Sequence, residues 1–352
     1  MRKTSPPTIR VPVPGGGYVR FMTEALVDRI RGTLLSELPL TESAVLAVSG
    51  GIDSMVLLDA TIATRPVSSF RVATFDHASG PHSERAVDLV AGVALGAGAS
   101  VIVGRSMAVG RPSEASWREG RLAFLRAAAA EHRAVLCTAH TRDDQIETVL
   151  FRELRGAGAR GLAGLRAPSA IRRPLLAFSR SEIERYARAV GVTWVDDPTN
   201  ENRAYARNRI RFEVLPALRA RTPTVDDILI AIGERAARWR SDVDAAVDAV
   251  IEFTVAADRA ALDVSVASLT RYDPAVLAVI WPALLARISV TADWRGTRRL
   301  VEFTNEGTTG RRIQLSGGWV VFRRRTSFEV RREGGATERL GEPALPFSGE
   351  HD

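Results

Sequence analysis

Cysteine and lysine are almost absent from this 352-residue chain. Cys137 is the only cysteine, which excludes an internal disulfide framework and a metal site built from several thiolates. Lys3 is the only lysine, so no lysine can follow a glycine-rich loop as it does in a Walker-type P-loop. The most apolar uncharged stretch, 274–286, is too short to span a bilayer, and the residues before Gly17 lack the apolar core of a signal peptide. These absences predict a cytoplasmic protein that does not associate with membranes.

Arginine supplies nearly all of the positive charge and is concentrated in two blocks. The formal net charge is +7. Residues 152–221 contain 15 arginines and seven acids, and residues 295–332 contain ten arginines and three acids. A coding bias toward arginine would explain the choice of residue but not its clustering. The two blocks therefore predict contacts with the phosphates of a polyanion.

Strand-like and helix-like segments alternate through the first half of the chain. The strand-like runs are 44–48, 70–75, 100–103 and 134–138, and helix-like stretches separate them. This alternation predicts an α/β fold with a doubly wound parallel sheet, whose ligands bind beyond the carboxyl ends of the strands. Ser49, Asp76 and His140 follow three of these strands.

Composition also predicts the domain boundaries. We expect a loose leader at 1–20, the α/β domain at 21–220, a helical domain at 221–294, a small β-rich C-terminal unit at 295–335 and a disordered tail at 336–352. Within these segments, 226–255 and 274–288 are predicted to be helical, and the glycine-rich stretch 156–165 is predicted to be a flexible loop. After Trp294 the pattern predicts short strands at 312–315, 320–322 and 327–331.

The segment Val48–Leu57 carries the most informative local pattern. An apolar run ends in Ser-Gly-Gly at 49–51, and a helix-like stretch follows. Two glycines let the backbone turn tightly and point N–H groups at an anion, and the helix dipole adds partial positive charge. The segment predicts a phosphate site in which Asp53 acts through a metal ion. The alternative is a plain strand-to-helix turn capped by Asp53 and Ser54.

A second cluster, 140–148, follows the fourth predicted strand and opens a helix. Asp144 and Glu147 are three residues apart, which places them on one helix face. Asp144 and Asp53 would both lie at the carboxyl edge of the sheet, where two carboxylates can hold Mg²⁺ and Mg²⁺ can bridge the phosphates of ATP. The alternative is structural, because Thr141-x-x-Asp144 is also a capping-box pattern.

Together these motifs resemble those of the bacterial tRNA(Ile)-lysidine synthetase family, in the N-type ATP pyrophosphatase (PP-loop) superfamily. SGGIDS at 49–54 resembles the superfamily's pyrophosphatase loop, and the resemblance covers about residues 43–218. It extends more weakly to 310–318 in the C-terminal unit. The other similar segments follow in the family's order: FDH at 75–77, an arginine-containing helix at 114–125, AHTRDDQIETV at 139–149, a glycine-rich loop at 154–165, RPLL at 173–176, DPTN at 197–200 and RNRIR at 207–211.

The resemblance implies a PP-loop ATPase domain at 21–220 and a helical tRNA-contact domain at 221–294. It implies that ATP adenylates the C2 oxygen of the wobble cytidine in an isoleucine tRNA with a CAU anticodon, with loss of pyrophosphate. Free lysine then attacks C2 and releases AMP, which leaves lysidine. The implied cofactors are ATP as co-substrate and Mg²⁺.

The resemblance also implies roles for individual residues. Asp53, Asp144 and Glu147 are the implied catalytic residues, with Asp53 and Asp144 on Mg²⁺ and Glu147 on the amine of the substrate lysine. The implied ATP-binding residues are Ser49, Gly50, Gly51, Ile52, Asp53, Ser54, Asp76, His77 and His140. The implied tRNA or phosphate contacts are Arg118, Arg121, Arg155, Arg160, Arg207, Asn208 and Arg211.

Several alternatives stay open at this stage. Asp143 competes with Asp144 for the metal and with Glu147 for lysine. The arginines at 207–211 could form only a solvated helix face. The loop 77–82 departs from the family's usual His-Gly-Leu-Arg, so its role is open. Other classes are a different PP-loop adenylating enzyme, such as a tRNA thiolation enzyme or an amide-forming synthetase, and a non-catalytic RNA-binding protein. The oligomeric state, a homodimer included, is not fixed by the sequence.

Overall fold

A computed structural model describes residues 17–77, 80–106, 114–196, 203 and 206–333. Side chains are described from residue 24 onward and, in the helix that begins at Glu114, from residue 119 onward. The predicted tail, the DPTN motif and the side chain of Arg118 lie outside the described residues, as does most of the predicted leader. The chain divides into two compact units, 1–237 and 238–352.

The first unit contains the predicted parallel sheet. Its strands are β1 (Ala44–Ala47), β2 (Phe70–Asp76), β3 (Ser100–Arg105), β4 (Val135–Thr138) and β5 (Ile171–Arg172). All neighbours are parallel, in the order β3-β2-β1-β4-β5. In a doubly wound sheet of this order, the ligand crevice lies where the connections diverge, beyond the carboxyl ends of β1 and β4.

Helices cover both faces of this sheet because their apolar residues recur at helical spacing. Leu26, Ile30 and Leu34 of the first helix, and Leu38 just after it, recur every four residues and are all buried in the main core of this unit. No helix in the described part of the chain is both long and apolar enough to cross a bilayer. The helices are α1 (Gly17–Glu37), α2 (Ile52–Thr64), α3 (Pro81–Gly96), α4 (Glu114–Glu131), α5 (Arg142–Glu153), α6 (Ala159–Leu162), α7 (Arg180–Val190), α8 (Ala206–Arg209) and α9 (Leu215–Arg221).

The second unit combines helices with one antiparallel sheet. Helix α10 (Val225–Val250) contains the boundary between the units. The sheet has the order β6-β7-β10-β9-β8. Trp281, Leu300 and Phe328 belong to one hydrophobic core, so the predicted boundary at 294 does not coincide with a break in that core. The remaining elements are β6 (Phe253–Val255), β7 (Ala261–Ser265), α11 (Val266–Leu269), α12 (Pro274–Ala286), α13 (Trp294–Glu306), β8 (Arg312–Leu315), β9 (Trp319–Arg323) and β10 (Ser327–Arg332).

The predicted fold class is confirmed, and three local predictions are wrong. Helix α10 ends at Val250 rather than at 255, because the apolar residues that follow form strand β6, which pairs with β7. The strands predicted at 312–315, 320–322 and 327–331 are confirmed as β8, β9 and β10, but the β-rich unit predicted from residue 295 begins with helix α13, which the sequence did not predict. The glycine-rich stretch 156–165 contains helix α6 and is held by hydrogen bonds described below.

Candidate active site

The loop between β1 and α2 is shaped by Gly50 and closed by two serines. Gly50 has a φ of +84°, and its carbonyl accepts a hydrogen bond from the N–H of Val195 at 3.0 Å. The Ser54 hydroxyl donates to the Gly51 carbonyl at 2.8 Å and accepts from the Ser49 N–H at 3.1 Å. Gly51 occupies the N-cap position of α2 without a capping side chain. The first N–H groups of α2 are therefore open to an anion.

Gly50→Ala is expected to distort this loop, because the positive φ strains any L-residue and the new Cβ would lie 2.9 Å from the Cβ of Ala86 on α3. We expect a loss of about 1–3 kcal/mol in the free energy of unfolding, measured by chemical denaturation. Gly51→Ala is the matched control, since a Cβ there meets only the Ser49 hydroxyl at 3.8 Å. Equal losses in the two variants would contradict the assignment of strain to Gly50.

A cavity of about 320 Å³ lies at the carboxyl ends of β1, β2 and β4. Small-molecule sites commonly measure about 300–1,000 Å³, so this cavity is large enough for part of a nucleotide. Arg121 of α4 reaches it, whereas Gly50, Ile52 and Asp76 do not line it. The other predicted ATP-binding residues all line it: Ser49, Gly51, Asp53, Ser54, His77 and His140.

Asp53 lies on the first turn of α2 and lines this cavity, and one of its carboxylate oxygens lacks a hydrogen bond from the described residues. Its Oδ1 atom is buried and accepts no hydrogen bond from the described residues. Its Oδ2 atom lies 3.4 Å from a terminal nitrogen of Arg180, the first residue of α7. Burial raises the pKa of the Asp53 carboxyl to about 6, against the lowering effect of Arg180. Such a carboxylate has an unmet demand for positive charge.

Helix α5 begins with the predicted capping box. The Thr141 hydroxyl accepts from the Asp144 N–H, and Asp144 Oδ2 accepts from the Thr141 N–H at 2.8 Å. Asp144 Oδ1 accepts from Arg207 at 3.0 Å. Burial acts to raise the pKa of Asp144, but Arg207 and the Thr141 N–H outweigh it and hold the pKa below its ordinary value. The capping role is thus real, and Asp144 still presents an ionised carboxylate.

Glu147 is almost completely buried and is held by two arginines. Arg211 donates through Nε to Oε1 at 2.5 Å and through a terminal nitrogen to Oε2 at 2.9 Å. Arg207 donates through Nε to Oε2 at 3.1 Å. A π-helical turn, Ile210–Val214, follows Arg207 and contains Arg211. The arginines at 207 and 211 therefore neutralise two buried carboxylates and do not form only a solvated face.

Asp143 is engaged away from these carboxylates. Its Oδ2 atom accepts from the backbone N–H of Arg180 at 2.8 Å, and its Oδ1 atom lies 3.6 Å from Arg219. The two oxygens therefore contact the first residue of α7 and an arginine of α9. The choice between Asp144 and Asp143 as the second metal ligand stays a prediction.

Asp76 at the end of β2 and His140 after β4 have different surroundings. Asp76 is buried and binds the Ser83 hydroxyl at 2.6 Å and Arg105 at 3.3 Å, which ties β2 to α3 and β3. His140 lies within 2.8 Å of the Thr138 hydroxyl through Nδ1. Burial lowers the pKa of His140 to about 4, so the ring is neutral at pH 7. A nucleotide role for Asp76 stays a prediction.

The glycine-rich segment is fixed to α5 by Gln145, a residue that the motif analysis did not single out. Gln145 is completely buried; it accepts from the Leu165 N–H at 2.6 Å and donates to the Ala163 carbonyl at 3.1 Å. Gly164 has a φ of +60°, and a Cβ there would lie 2.6 Å from Gln145 Oε1. The predicted contact residues Arg155 and Arg160 therefore lie on or beside an ordered segment.

Comparison with known proteins identifies the class. A PP-loop domain model matches residues 26–218. Curated proteins named tRNA(Ile)-lysidine synthase are similar to this chain: the one from Salinispora tropica is 42% identical over 218 residues, and the one from Burkholderia mallei is 36% identical over 242 residues. A third, from Salinispora arenicola, is 39% identical over 66% of this chain and 72% of its own length. The chain therefore belongs to the PP-loop family and, within it, to the family of tRNA(Ile)-lysidine synthases.

These relatives are longer than the matched region. The alignment covers 58% of this chain and 65% of the Salinispora tropica protein, and 65% of this chain and 49% of the Burkholderia mallei protein. Among solved structures, a U34-tRNA thiolase from Methanococcus maripaludis, determined with its [4Fe-4S] cluster, has a TM-score of 0.50 and is 13% identical over 61% of this chain and 80% of its own. At that identity the likeness concerns the fold alone.

Proposed function

We propose that this protein joins free L-lysine to C2 of the wobble cytidine of an isoleucine tRNA with a CAU anticodon, through an adenylated cytidine, and releases AMP and pyrophosphate. Family membership supports the reaction class. One observation carries the proposal: three features lie at the same edge of one sheet. They are the uncapped N-terminus of α2, which can bind an anion, the Asp53 carboxylate, to whose Oδ1 no described residue donates, and the carboxylates of α5.

The first half-reaction is adenylation of the cytidine. Its C2 oxygen attacks the α-phosphorus, and the bond to the bridging oxygen breaks, so negative charge collects on pyrophosphate. The N–H groups at the start of α2 are placed to stabilise that charge. The nucleoside part of ATP would occupy the cavity that His77, His140 and Arg121 line.

Two carboxylates at this edge fit Mg²⁺. Asp53 Oδ1 is a buried oxygen to which no described residue donates a hydrogen bond, and Asp144 is ionised. Among the described residues, no group of three or more His, Cys, Asp or Glu side chains could form a closed metal cage. Mg²⁺ is commonly held by one or two carboxylates together with phosphates and waters, so the pair suffices. When bound, Mg²⁺ would neutralise phosphate charge during transfer.

The second half-reaction needs the amine of lysine near C2. Glu147 offers a buried carboxylate that attracts cations, as its contacts with Arg207 and Arg211 illustrate. The ammonium of lysine would replace one of these guanidinium contacts. Holding the amine in place converts an encounter into an attack within one complex.

Contacts with tRNA are proposed for the two arginine blocks. Arg121, which lies before the first block, reaches the cavity. The first block places Arg155 on the surface beside Phe151, and Asn208 between Arg207 and the π-helical turn. The second block places Arg295, Arg299 and Arg325 on the exposed surface of the second unit. Clustered arginines bind phosphate through paired N–H donors.

The rival chemistry of tRNA thiolation does not fit these residues. Sulfur transfer or an iron–sulfur cluster requires reactive thiolates. Burial raises the pKa of the Cys137 thiol to about 12, and Cys137 is the only cysteine of the chain. The paired carboxylates likewise favour catalysis over a purely RNA-binding role.

Incorporation of labelled lysine into isoleucine tRNA with a CAU anticodon tests the proposal directly. We expect stoichiometric AMP and pyrophosphate release that requires both ATP and tRNA. A methionine tRNA with the same anticodon is the control. ATP–pyrophosphate exchange without lysine incorporation would favour a different adenylating enzyme, and binding without pyrophosphate release would favour the RNA-binding alternative.

Binding to tRNA is expected to weaken steeply as salt rises, because arginines displace counterions from phosphates. Replacing Arg295, Arg299 and Arg325 together by Gln should reduce the slope of log affinity against log salt by up to about 2–3. Arg298→Gln is the control, since Arg298 already pairs with Glu302 at 2.7 Å. The slopes come from filter binding at several salt concentrations. An unchanged slope in the triple variant would remove this surface from the tRNA contact.

A further inference from the structure

The phosphate loop has no cation of its own. Within 49–54 the only charged side chain is Asp53. Loss of pyrophosphate from ATP places negative charge on the leaving group, and enzymes of phosphoryl and nucleotidyl transfer stabilise such charge with Lys, Arg or Mg²⁺. A cation that this chain brings from elsewhere should therefore lie beside the loop.

Arg180 meets that condition. It is the first residue of α7, whose start is fixed by a capping box between Ser179 and Glu182. Its backbone N–H donates to Asp143 Oδ2 at 2.8 Å, which anchors the residue to α5. Its guanidinium lies 3.4 Å from Asp53 Oδ2 on the first turn of α2. Arg180 also lowers the pKa of Asp144, so the guanidinium acts on both candidate metal ligands.

The guanidinium is only partly used by these contacts. Its Nε atom is buried and has no hydrogen-bond acceptor among the described residues. Its one described acceptor is a single carboxylate oxygen at a long distance. A guanidinium prefers to donate two parallel N–H bonds to a carboxylate or phosphate. Arg180 thus has an Nε–H group without an acceptor among the described residues and one long hydrogen bond from a terminal nitrogen. This arrangement is expected of an arginine that donates two parallel hydrogen bonds to a ligand.

We propose that Arg180 is a catalytic residue that binds the β- and γ-phosphates of ATP and stabilises the leaving pyrophosphate. This inference rests on the proposed adenylation. Arg180 does not line the cavity; it approaches Asp53 from α7. The nucleoside in the cavity and the pyrophosphate end beside Arg180 would thus lie on either side of the loop.

The step balances without a further reactant. The α-phosphorus gains a bond to the cytidine oxygen and loses its bond to the bridging oxygen, whose electron pair leaves with pyrophosphate. Arginine stays protonated at all relevant pH values, so Arg180 contributes charge and hydrogen bonds and transfers no proton. The contact between Arg180 and Asp53 also limits the cost of holding that carboxylate half-buried.

The test compares ligands that share or lack the pyrophosphate end. Binding of ATP, AMP and inorganic pyrophosphate, each with Mg²⁺ and without tRNA, is measured by calorimetry for wild type, Arg180→Gln and Arg180→Lys. Arg180→Gln should weaken ATP and pyrophosphate at least about tenfold and leave AMP within about twofold. The affinities of Arg180→Lys for ATP and pyrophosphate should be intermediate, because lysine keeps the positive charge but cannot donate two parallel hydrogen bonds as a guanidinium does. The tRNA-dependent rate of pyrophosphate release should fall about 100-fold in Arg180→Gln.

Arg188→Gln is the matched control, because Arg188 lies on the same helix, is exposed and pairs with Glu184 at 3.3 Å. It should match wild type in every assay. Equal affinities of Arg180→Gln and wild type for pyrophosphate would overturn the proposal, as would an equal loss for AMP, which would indicate a scaffolding role. A wild-type protein that binds neither ATP nor pyrophosphate would instead remove the proposed function, and this inference with it.

Discussion

Asp53→Asn is expected to abolish most pyrophosphate release while leaving the protein at least as stable as wild type. The substitution keeps the size of the side chain and removes its charge. Burial raises the pKa of Asp53 to about 6. The charged carboxylate that predominates at pH 7 therefore costs more free energy in the folded than in the unfolded state, and its neutral replacement should not lower the thermal midpoint in Mg²⁺-free buffer. The rate should fall about 100- to 1,000-fold if the charge serves Mg²⁺ at the phosphates.

Asp59→Asn provides the control on the same helix. Asp59 accepts a hydrogen bond from the Tyr186 hydroxyl at 2.7 Å, which an asparagine oxygen can also accept. This variant removes one negative charge from α2 at a distance from the loop and should retain its activity. Near-wild-type lysine incorporation by Asp53→Asn in the presence of Mg²⁺ would show that the metal assignment is wrong.

Asp53→Asn is informative because its activity is expected to fall while its stability is not. A residue retained for the fold should lose both when it is replaced. A buried carboxylate with an unsatisfied oxygen contributes little to the fold and has its value only when a ligand supplies the missing charge. A loss of activity without a loss of stability would therefore support the proposed chemical role of Asp53.

The elements of this site that sequence could predict are the local ones. Ser-Gly-Gly after an apolar run predicts a turn, and Gly50 does adopt a positive φ there. Thr141 and Asp144 form the capping box that their spacing predicts. In each case the pattern and the structure involve residues fewer than six positions apart, so the chain's local conformational preferences decide the outcome.

The elements that sequence could not predict depend on distant parts of the chain. Arg211 and Glu147 are 64 residues apart, and Arg180 and Asp53 are 127 residues apart. No spacing rule connects such pairs, because only the packing of the folded chain brings them together. Arg207 and Arg211 were interpreted from sequence as phosphate contacts, and their ion pairs with α5 add a role that the motif alone does not contain.

The two errors in the second unit have different origins. Strand β6 has three residues, and such a short apolar run is compatible with either a helix or a strand until its partner is known. Helix α13 did have a local signal: Asp293 caps it by accepting from the Gly296 N–H at 2.7 Å, and Leu300, Val301 and Phe303 lie on its buried face. This N-cap and the spacing of the apolar residues are sequence signals that predict a helix beginning after Asp293.

Glu147→Gln is expected to leave adenylation intact and to impair the attack of lysine. The glutamine keeps the shape of the side chain but no longer attracts an ammonium group, so we expect the KM for lysine to rise at least about tenfold. Pyrophosphate release should still require tRNA. The measurement follows pyrophosphate release and labelled-lysine incorporation separately on the same protein.

Stability must be separated from this effect, because Glu147 also binds Arg207 and Arg211. Breaking these contacts should cost about 2 kcal/mol, between the values for exposed and buried ion pairs, since the carboxylate is buried and the arginines are partly exposed. Arg211→Gln breaks the same ion pair but keeps the carboxylate. It should lose similar stability in chemical denaturation without the same rise in the KM for lysine.

The comparison of these two variants distinguishes three roles for Glu147. If both lose stability and neither changes the KM for lysine, Glu147 only fastens α5 to the π-helical turn. If only Glu147→Gln raises that KM, the carboxylate binds the substrate amine, because the two variants differ in whether the negative charge remains. If Glu147→Gln stops pyrophosphate release itself, the carboxylate belongs with Asp53 and Asp144 at the metal, since lysine takes no part in that half-reaction.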